Sequence, residues 1–200
     1  EKGQRPWRLA LLPEQTQRYS EPYAHEAFLD FAGQLESTGQ VEWVDKEFPP
    51  EIAEFGHEVH TTIYEKSLSY YFQKEYADTE FTSKIIHQMI RQGNEIGVDQ
   101  YYEAVDRQVR FTSLLDSYLD GVDGIVTLST AGIAPKLEAP ENPDTCLLWT
   151  LCGVPSLSIP LFTGPDNMPF GLQIAGRKYN DYLLLDLAQF LTETHAKNRA

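Results

Sequence analysis

Cysteine is scarce in this sequence, cationic side chains are outnumbered, and no long apolar run occurs. The only thiols are Cys146 and Cys152, whose spacing puts them on different faces of a helix. That arrangement argues against a disulfide framework or a thiolate metal site, and implies two free, largely buried thiols in a reducing, cytoplasmic compartment. Sixteen basic residues face 30 acidic ones, and the resulting net charge of −14 repels phosphate backbones and anionic membranes. Neither nucleic acid nor a membrane is therefore an expected partner. No stretch reaches the roughly 18 apolar residues of a bilayer-spanning helix, and the start EKGQRPWR lacks the apolar segment of a signal peptide. Also missing are a GxSxG elbow, a Walker motif, GxGxxG, and any Gly-Gly or Ser-Ser dipeptide.

What is present suits a globular chain. Of 200 residues, 42% are hydrophobic and 12% aromatic, enough for a sizeable core in one domain spanning residues 1–200. WRLALL (residues 7–12), ended by Pro13, predicts a buried strand. Ser20, Glu21 and Pro22 predict the start of a helix, whose apolar positions Ala24, Ala27, Phe28, Phe31 and Leu35 recur at helical spacing up to Gly39. VEWVDKEF (41–48), stopped by Pro49-Pro50, predicts a second strand and completes a β-α-β unit. Residues 51–92 predict two helices broken near Asp78-Thr79, and another helix follows over 99–119. Ile125–Leu128 predicts a strand, 129–142 a loop, and 143–151 a short helix. Strands over 156–162 and 170–175, joined by the turn formers of TGPDNMP, precede a last helix over 181–195.

Few residues in this framework carry chemistry on their own. Ser156 and Ser158, in CGVPSLSIPLF, share one strand face and have neither a base nor a Gly-rich turn beside them, so both read as scaffold. His57 and His60, with Glu54 and Glu58, give the best metal-ligand spacing, but an acidic helix with two histidines is not HExxH, and no metal is expected. YEKSLSYYFQKEY (64–76) is aromatic enough to suggest base stacking, but its glutamates argue against that and for a helix with rings at the core boundary.

The C-terminal third resembles the closing segment of amidase-signature enzymes. The pattern is carried by Gly153, Pro155, Ser156, Ser158, Pro160, Pro169, Gly171, Leu172 and Gln173 within WTLCGVPSLSIPLFTGPDNMPFGLQIAGRKYNDYLLLDLAQFL. Upstream, DGIVTLSTAGIAP is similar to the family's strand and pocket-bordering loop, departing at Leu128, where proline is common. The first 50 residues resemble the β-α-β unit that follows the catalytic part of these enzymes.

The resemblance implies a mixed, largely parallel α/β sheet flanked by helices, the C-terminal half of an amidase-signature fold. It also implies hydrolysis of an amide C–N bond by a serine, a bridging cis-serine and a lysine, with no cofactor. Those three residues belong to a Gly/Ser-rich segment that precedes the matched region, so no catalytic residue is expected here and the chain alone should be inactive. A small-molecule amide would be the substrate of the complete protein. Ser129, Thr130 and Trp149 match pocket-bordering positions and are the expected substrate wall. Arg110 matches an arginine that helps hold a charged acyl side in the tRNA-dependent amidotransferase branch, although Asn180 stands where that branch has an acid, with Asp181 next. Two alternatives remain open: an inactive amidase-like binding or scaffold protein, and a fragment of the amidase subunit of a tRNA-dependent amidotransferase. The final strands offer little polar surface, so self-association through an exposed sheet or apolar surface is also expected.

Overall fold

Short apolar runs bounded by proline, glycine or polar turns set five strands, and a computed structural model covering residues 6–78, 80–137, 139 and 144–198 shows how they join. The strands β1 (Trp7–Leu11), β2 (Val41–Trp43), β3 (Gly124–Leu128), β4 (Ser156–Thr163) and β5 (Pro169–Ala175) form one sheet in the order β2-β1-β3-β5-β4. β1 pairs parallel with both β2 and β3, whereas β5 lies antiparallel to both β3 and β4. Four of the five strands therefore run the same way, giving the mixed, largely parallel sheet expected.

Helices cover both faces. α2 (Pro22–Ser37) and α8 (Asp181–Asn198) press Phe28, Phe31, Leu184 and Leu187 onto Leu9, Val126, Leu172 and Ile174. On the opposite face, Ile52 and Val59 of α3 (Pro50–Tyr71), Phe111 and Leu115 of α6 (Val98–Tyr118) and Leu148 of α7 (Cys146–Cys152) cover Ala10, Ile125 and Ala175. Each large side chain fully buried in this way contributes roughly 1.5–3 kcal/mol. α7 stops at Gly153, whose φ of 61° is the left-handed conformation glycine takes without strain. Pro143, the expected start of this helix, lies outside the described residues.

Three elements differ from the sequence expectation, each for a physical reason. Pro13–Tyr19 forms a helix, α1, with Pro13 and Glu14 in its first turn and Arg18 in its last; its single buried residue, Thr16, leaves no apolar period to read. β2 is three residues long, because beyond Val44 the chain leaves the sheet. It does so to place the Phe48 ring edge-on to Tyr118 and Trp149, while Lys46 donates to the carbonyls of Ser117 and Tyr118 at the end of α6. The helical run after Pro50 breaks first at Phe72, giving α4 (Gln73–Ala77), and resumes as α5 (Lys84–Glu95), which Ser83 caps by accepting from the Ile86 amide. Thr79 of the expected break lies outside the described residues.

β4 is an edge strand whose outward positions Ser156, Ser158, Pro160 and Thr163 are exposed. Its ladder with β5 shifts between Ile159 and Phe162, where Pro160 brings no amide hydrogen to the pairing. The free edge is thus more polar and more interrupted than an alternation of leucines and serines suggests.

α3 and α5 approach to backbone contact, since a Cβ at Gly93 would overlap the Glu65 carbonyl oxygen and crowd Ser69. Gly93→Ala must force the two helices apart. The expected cost is about 1–3 kcal/mol, seen as a lowered urea midpoint. Gly33→Ala, on an exposed turn of α2 with open space around it, is the control and should leave the midpoint unchanged or raise it.

Candidate functional site

The parallel strands β3 and β4 both end beside the segment 129–136, and an open cavity of about 750 Å3 lies there. The carboxyl ends of strands are where open α/β sheets place ligands, because successive loops diverge at that edge. Apolar walls come from Tyr23, Ile133, Pro160 and Phe170, and polar atoms from Ser129, Thr130, Lys136 and Ser158.

The loop forming one wall is held from several sides. Tyr23 of α2 accepts from the Ile133 amide at 2.8 Å, and the Asp144 carboxylate accepts from the Ala131 amide at 3.0 Å. The Glu21 amide donates to the Ala131 carbonyl at 2.7 Å, which ties the start of α2 to the same loop. Ser129 is buried, and both its amide and its hydroxyl donate to the Gly171 carbonyl at 2.9 Å. The Thr130 hydroxyl donates to the Gly132 carbonyl at 2.8 Å. Both hydroxyl protons are therefore committed to backbone, which leaves the two oxygens only acceptor capacity toward the cavity.

A polar row crosses the sheet beneath this loop. Thr127, Gln173 and Ser158 stand directly opposite one another on β3, β5 and β4. Their neighbours Val126, Ile174 and Ile159 pack into the core formed with α2 and α8, so the row lies on the other face. Gln173 is only 6% exposed, and its Oε1 has no hydrogen-bond partner among the described residues. A buried acceptor left unpaired costs about 1–3 kcal/mol. Gly171 continues the face toward the cavity; a Cβ there would lie 2.5 Å from Ser129 Oγ and 2.7 Å from Ser158 Oγ. Glycine thereby keeps these two hydroxyls close together.

Of the four residues expected at the substrate wall, the structure brings Ser129 and Thr130 together in the cavity. Trp149 lies apart, buried on α7 against Phe48, and does not line it. Arg110 is also elsewhere, on α6, paired with Glu51 of α3 at 2.5 Å with both side chains largely exposed. An ion pair so exposed contributes about 0–1 kcal/mol. The polar row went unseen in the sequence because only the strand register brings its members together, although a lone glutamine inside FGLQIA was a signal.

The family profile described as Amidase matches residues 1–185. This chain belongs to the amidase family. Among its relatives, the putative amidase AmiD of Mycobacterium tuberculosis (strain ATCC 25618 / H37Rv) is 29% identical over 113 residues, which is 50% of this chain and 24% of that protein. A glutamyl-tRNA(Gln) amidotransferase component from Xanthobacter autotrophicus is 29% identical over 85 residues, covering 38% of this chain and 17% of the relative. A crystal structure of an amidase superimposes with a TM-score of 0.82 at 20% identity, over 96% of this chain and 46% of that one. At that identity the likeness concerns the fold. The chain spans less than half the length of this solved amidase, and the matched stretches cover a quarter or less of the curated relatives.

Other reactive groups of this amidase-family chain lie away from the cavity. Burial pushes the Cys152 thiol up to about 12 and also raises that of Cys146, so neither is thiolate at neutral pH. His57 stacks on Tyr19 at 4.5 Å and His60 on Tyr64 at 5.7 Å, and no cluster of three or more metal-ligating side chains occurs among the described residues. Burial, then the neighbouring His60 and Arg18, hold His57 below its ordinary value, and burial does the same for His60.

The folded state therefore favours the neutral imidazole more than the unfolded chain does. Stability from this source is present above about pH 6.5 and is lost as pH falls through the depressed folded values. His57→Gln removes the His57 share. Its melting temperature should drop less than that of the parent chain between about pH 7 and pH 5.5. Equal drops in the two proteins would show that His57 does not titrate with unfolding.

Proposed function

We propose that this chain is the C-terminal, substrate-wall portion of an amidase-family amidohydrolase acting on a small-molecule amide. The observation that carries the reading is the cavity at the ends of β3 and β4, walled by a fixed loop that offers Ser129 and Thr130 as acceptors. Amide hydrolysis of this kind proceeds in two stages. A serine oxygen attacks the carbonyl carbon, the C–N bond breaks and the amine leaves with a proton relayed from a lysine through a second serine. Water then cleaves the acyl-enzyme and returns the serine hydroxyl. In this proposal those three residues lie outside the chain, in a segment that packs over the polar row and donates a hydrogen bond to Gln173 Oε1. Ser129 and Thr130 would then accept from donors on the amide, fixing its orientation rather than attacking it.

The similarity to a glutamyl-tRNA(Gln) amidotransferase component supports a second reading, in which the complete protein acts on a charged tRNA with partner proteins. The position of Arg110 counts against it, because that guanidinium is engaged by Glu51 rather than facing the cavity.

The test compares the chain alone with the chain joined to the coding segment that precedes Glu1. The chain alone should release no burst of product from an activated ester, and Ser156→Ala and Ser158→Ala should change nothing. The joined protein should hydrolyse amides, and Ser129→Ala should raise KM about two- to tenfold, the worth of one hydrogen bond, with little change in kcat. A burst from the chain alone that Ser158→Ala abolishes would place the nucleophile here and overturn the proposal. An inactive joined protein would favour the scaffold alternative.

A further inference from the structure

Away from the sheet and the cavity lies an arm in which α3 leads through α4 into α5, the last packed against α3. No residue of α4, at its tip, is buried. Around it Tyr70 is 74% exposed, Tyr71 75% and Phe81 82%, with Phe72, Tyr76 and Ile85 also exposed. An aromatic side chain presents about 150–250 Å2, so these six leave on the order of 700 Å2 of mostly apolar surface in water. That is far more than scattered surface apolar residues amount to, and about what one partner of a standard interface buries. We propose that this tip is a self-association surface, occupied by the same tip of a second copy of the chain.

Rigidity favours it. The backbone contact at Gly93 locks α5 onto α3, and Lys66 donates to the carbonyls of Gly93 and Ile96, closing the end of α5. Tyr70 stands edge-on to Tyr71 at 5.0 Å, and Tyr76 lies against His87 at 5.3 Å, so rings of the tip already touch one another.

Charge selects the occupant. Two molecules each carrying −14 repel over most of their surface. Between Tyr70 and Ile85, however, the sequence carries two cations, Lys74 and Lys84, and three anions, Glu75, Asp78 and Glu80, so the tip is within one charge of neutral. A two-fold arrangement can set the lysines of one copy against the carboxylates of the other while the rings pack between them. An anionic membrane would meet two lysines among three carboxylates, and repulsion from the rest of the molecule.

Sedimentation equilibrium over a concentration series tests the proposal, with circular dichroism confirming that every variant keeps its fold. The parent chain should form a dimer. Tyr71→Glu and Phe81→Glu, at largely exposed sites, should each weaken it at least tenfold, and Ser158→Lys on the β4 edge should leave it unchanged. A parent that stays monomeric throughout overturns the proposal. So does a dimer indifferent to both arm substitutions, or one lost only on Ser158→Lys, which would place the contact at the sheet edge. Arm-dependent binding to phosphatidylserine vesicles by a protein that never dimerises would also overturn it, in favour of a lipid surface.

Discussion

All five residues of β3 are buried, and the strand holds its place by two different ladders. Toward β1 it pairs parallel, Leu9 with Gly124 through Leu11 with Val126; toward β5 it pairs antiparallel, Ile125 with Ala175 through Leu128 with Leu172. Alternate side chains enter the two cores, Val126 and Leu128 on one face and Ile125 on the other. A slip of one residue would carry Thr127 into an apolar core and Val126 onto the polar row. The register of β3 therefore fixes the composition of both cores and the place where Ser129 leaves the sheet. The cavity loop inherits its position from that exit, and Tyr23 and Asp144 then hold its shape.

Elements with a strong apolar signature were legible in the sequence. WRLAL, GIVTL and PFGLQIA became strands, and the helical spacing from Ala24 to Leu35 became α2. The stretch that failed most, 44–48, failed for a tertiary reason: its alternation suits a strand, but Phe48 has a better place against Tyr118 and Trp149 than any further ladder offers at a sheet edge. α1 carries no periodic signature, and it is held by contacts no period reveals, the Arg18 bond to the Ala53 carbonyl and the Tyr19 ring on His57. The candidate site was legible in part. Ser129 and Thr130 came from the resemblance of DGIVTLSTAGIAP to the family's pocket-bordering loop, whereas Thr127, Gln173 and Ser158 become neighbours only once the order β3-β5-β4 is known.

That order also explains the serines of CGVPSLSIPLF. In an edge strand with one face on a core, Leu157 and Ile159 face inward and Ser156 and Ser158 remain for the other face. A nucleophile needs a base held against it and donors aimed at the developing oxyanion, and a regular strand position supplies neither. What the position does supply is regular spacing along the sheet, which suits a hydroxyl that meets another surface. Gly171 serves the same end by leaving no side chain between the hydroxyls of Ser129 and Ser158.

The β4 edge and the arm tip differ in kind, and the difference bears on what each is for. The β4 edge carries serine, proline and threonine outward and is broken by a register shift, features that discourage indiscriminate strand pairing. Beside it, on β5, the buried acceptor of Gln173 adds a demand that is polar and directional. One donor at the right angle satisfies such a group, so the surface discriminates strongly between partners while contributing little area. The arm tip has the opposite character: large rings and near-neutral charge reward any apolar surface of suitable shape, and their energy scales with area rather than direction. Specificity there has to come from the lysine and carboxylate pattern around the rings. A surface that selects by geometry suits the assembly of one catalytic unit, and a surface that gains by area suits the joining of finished units.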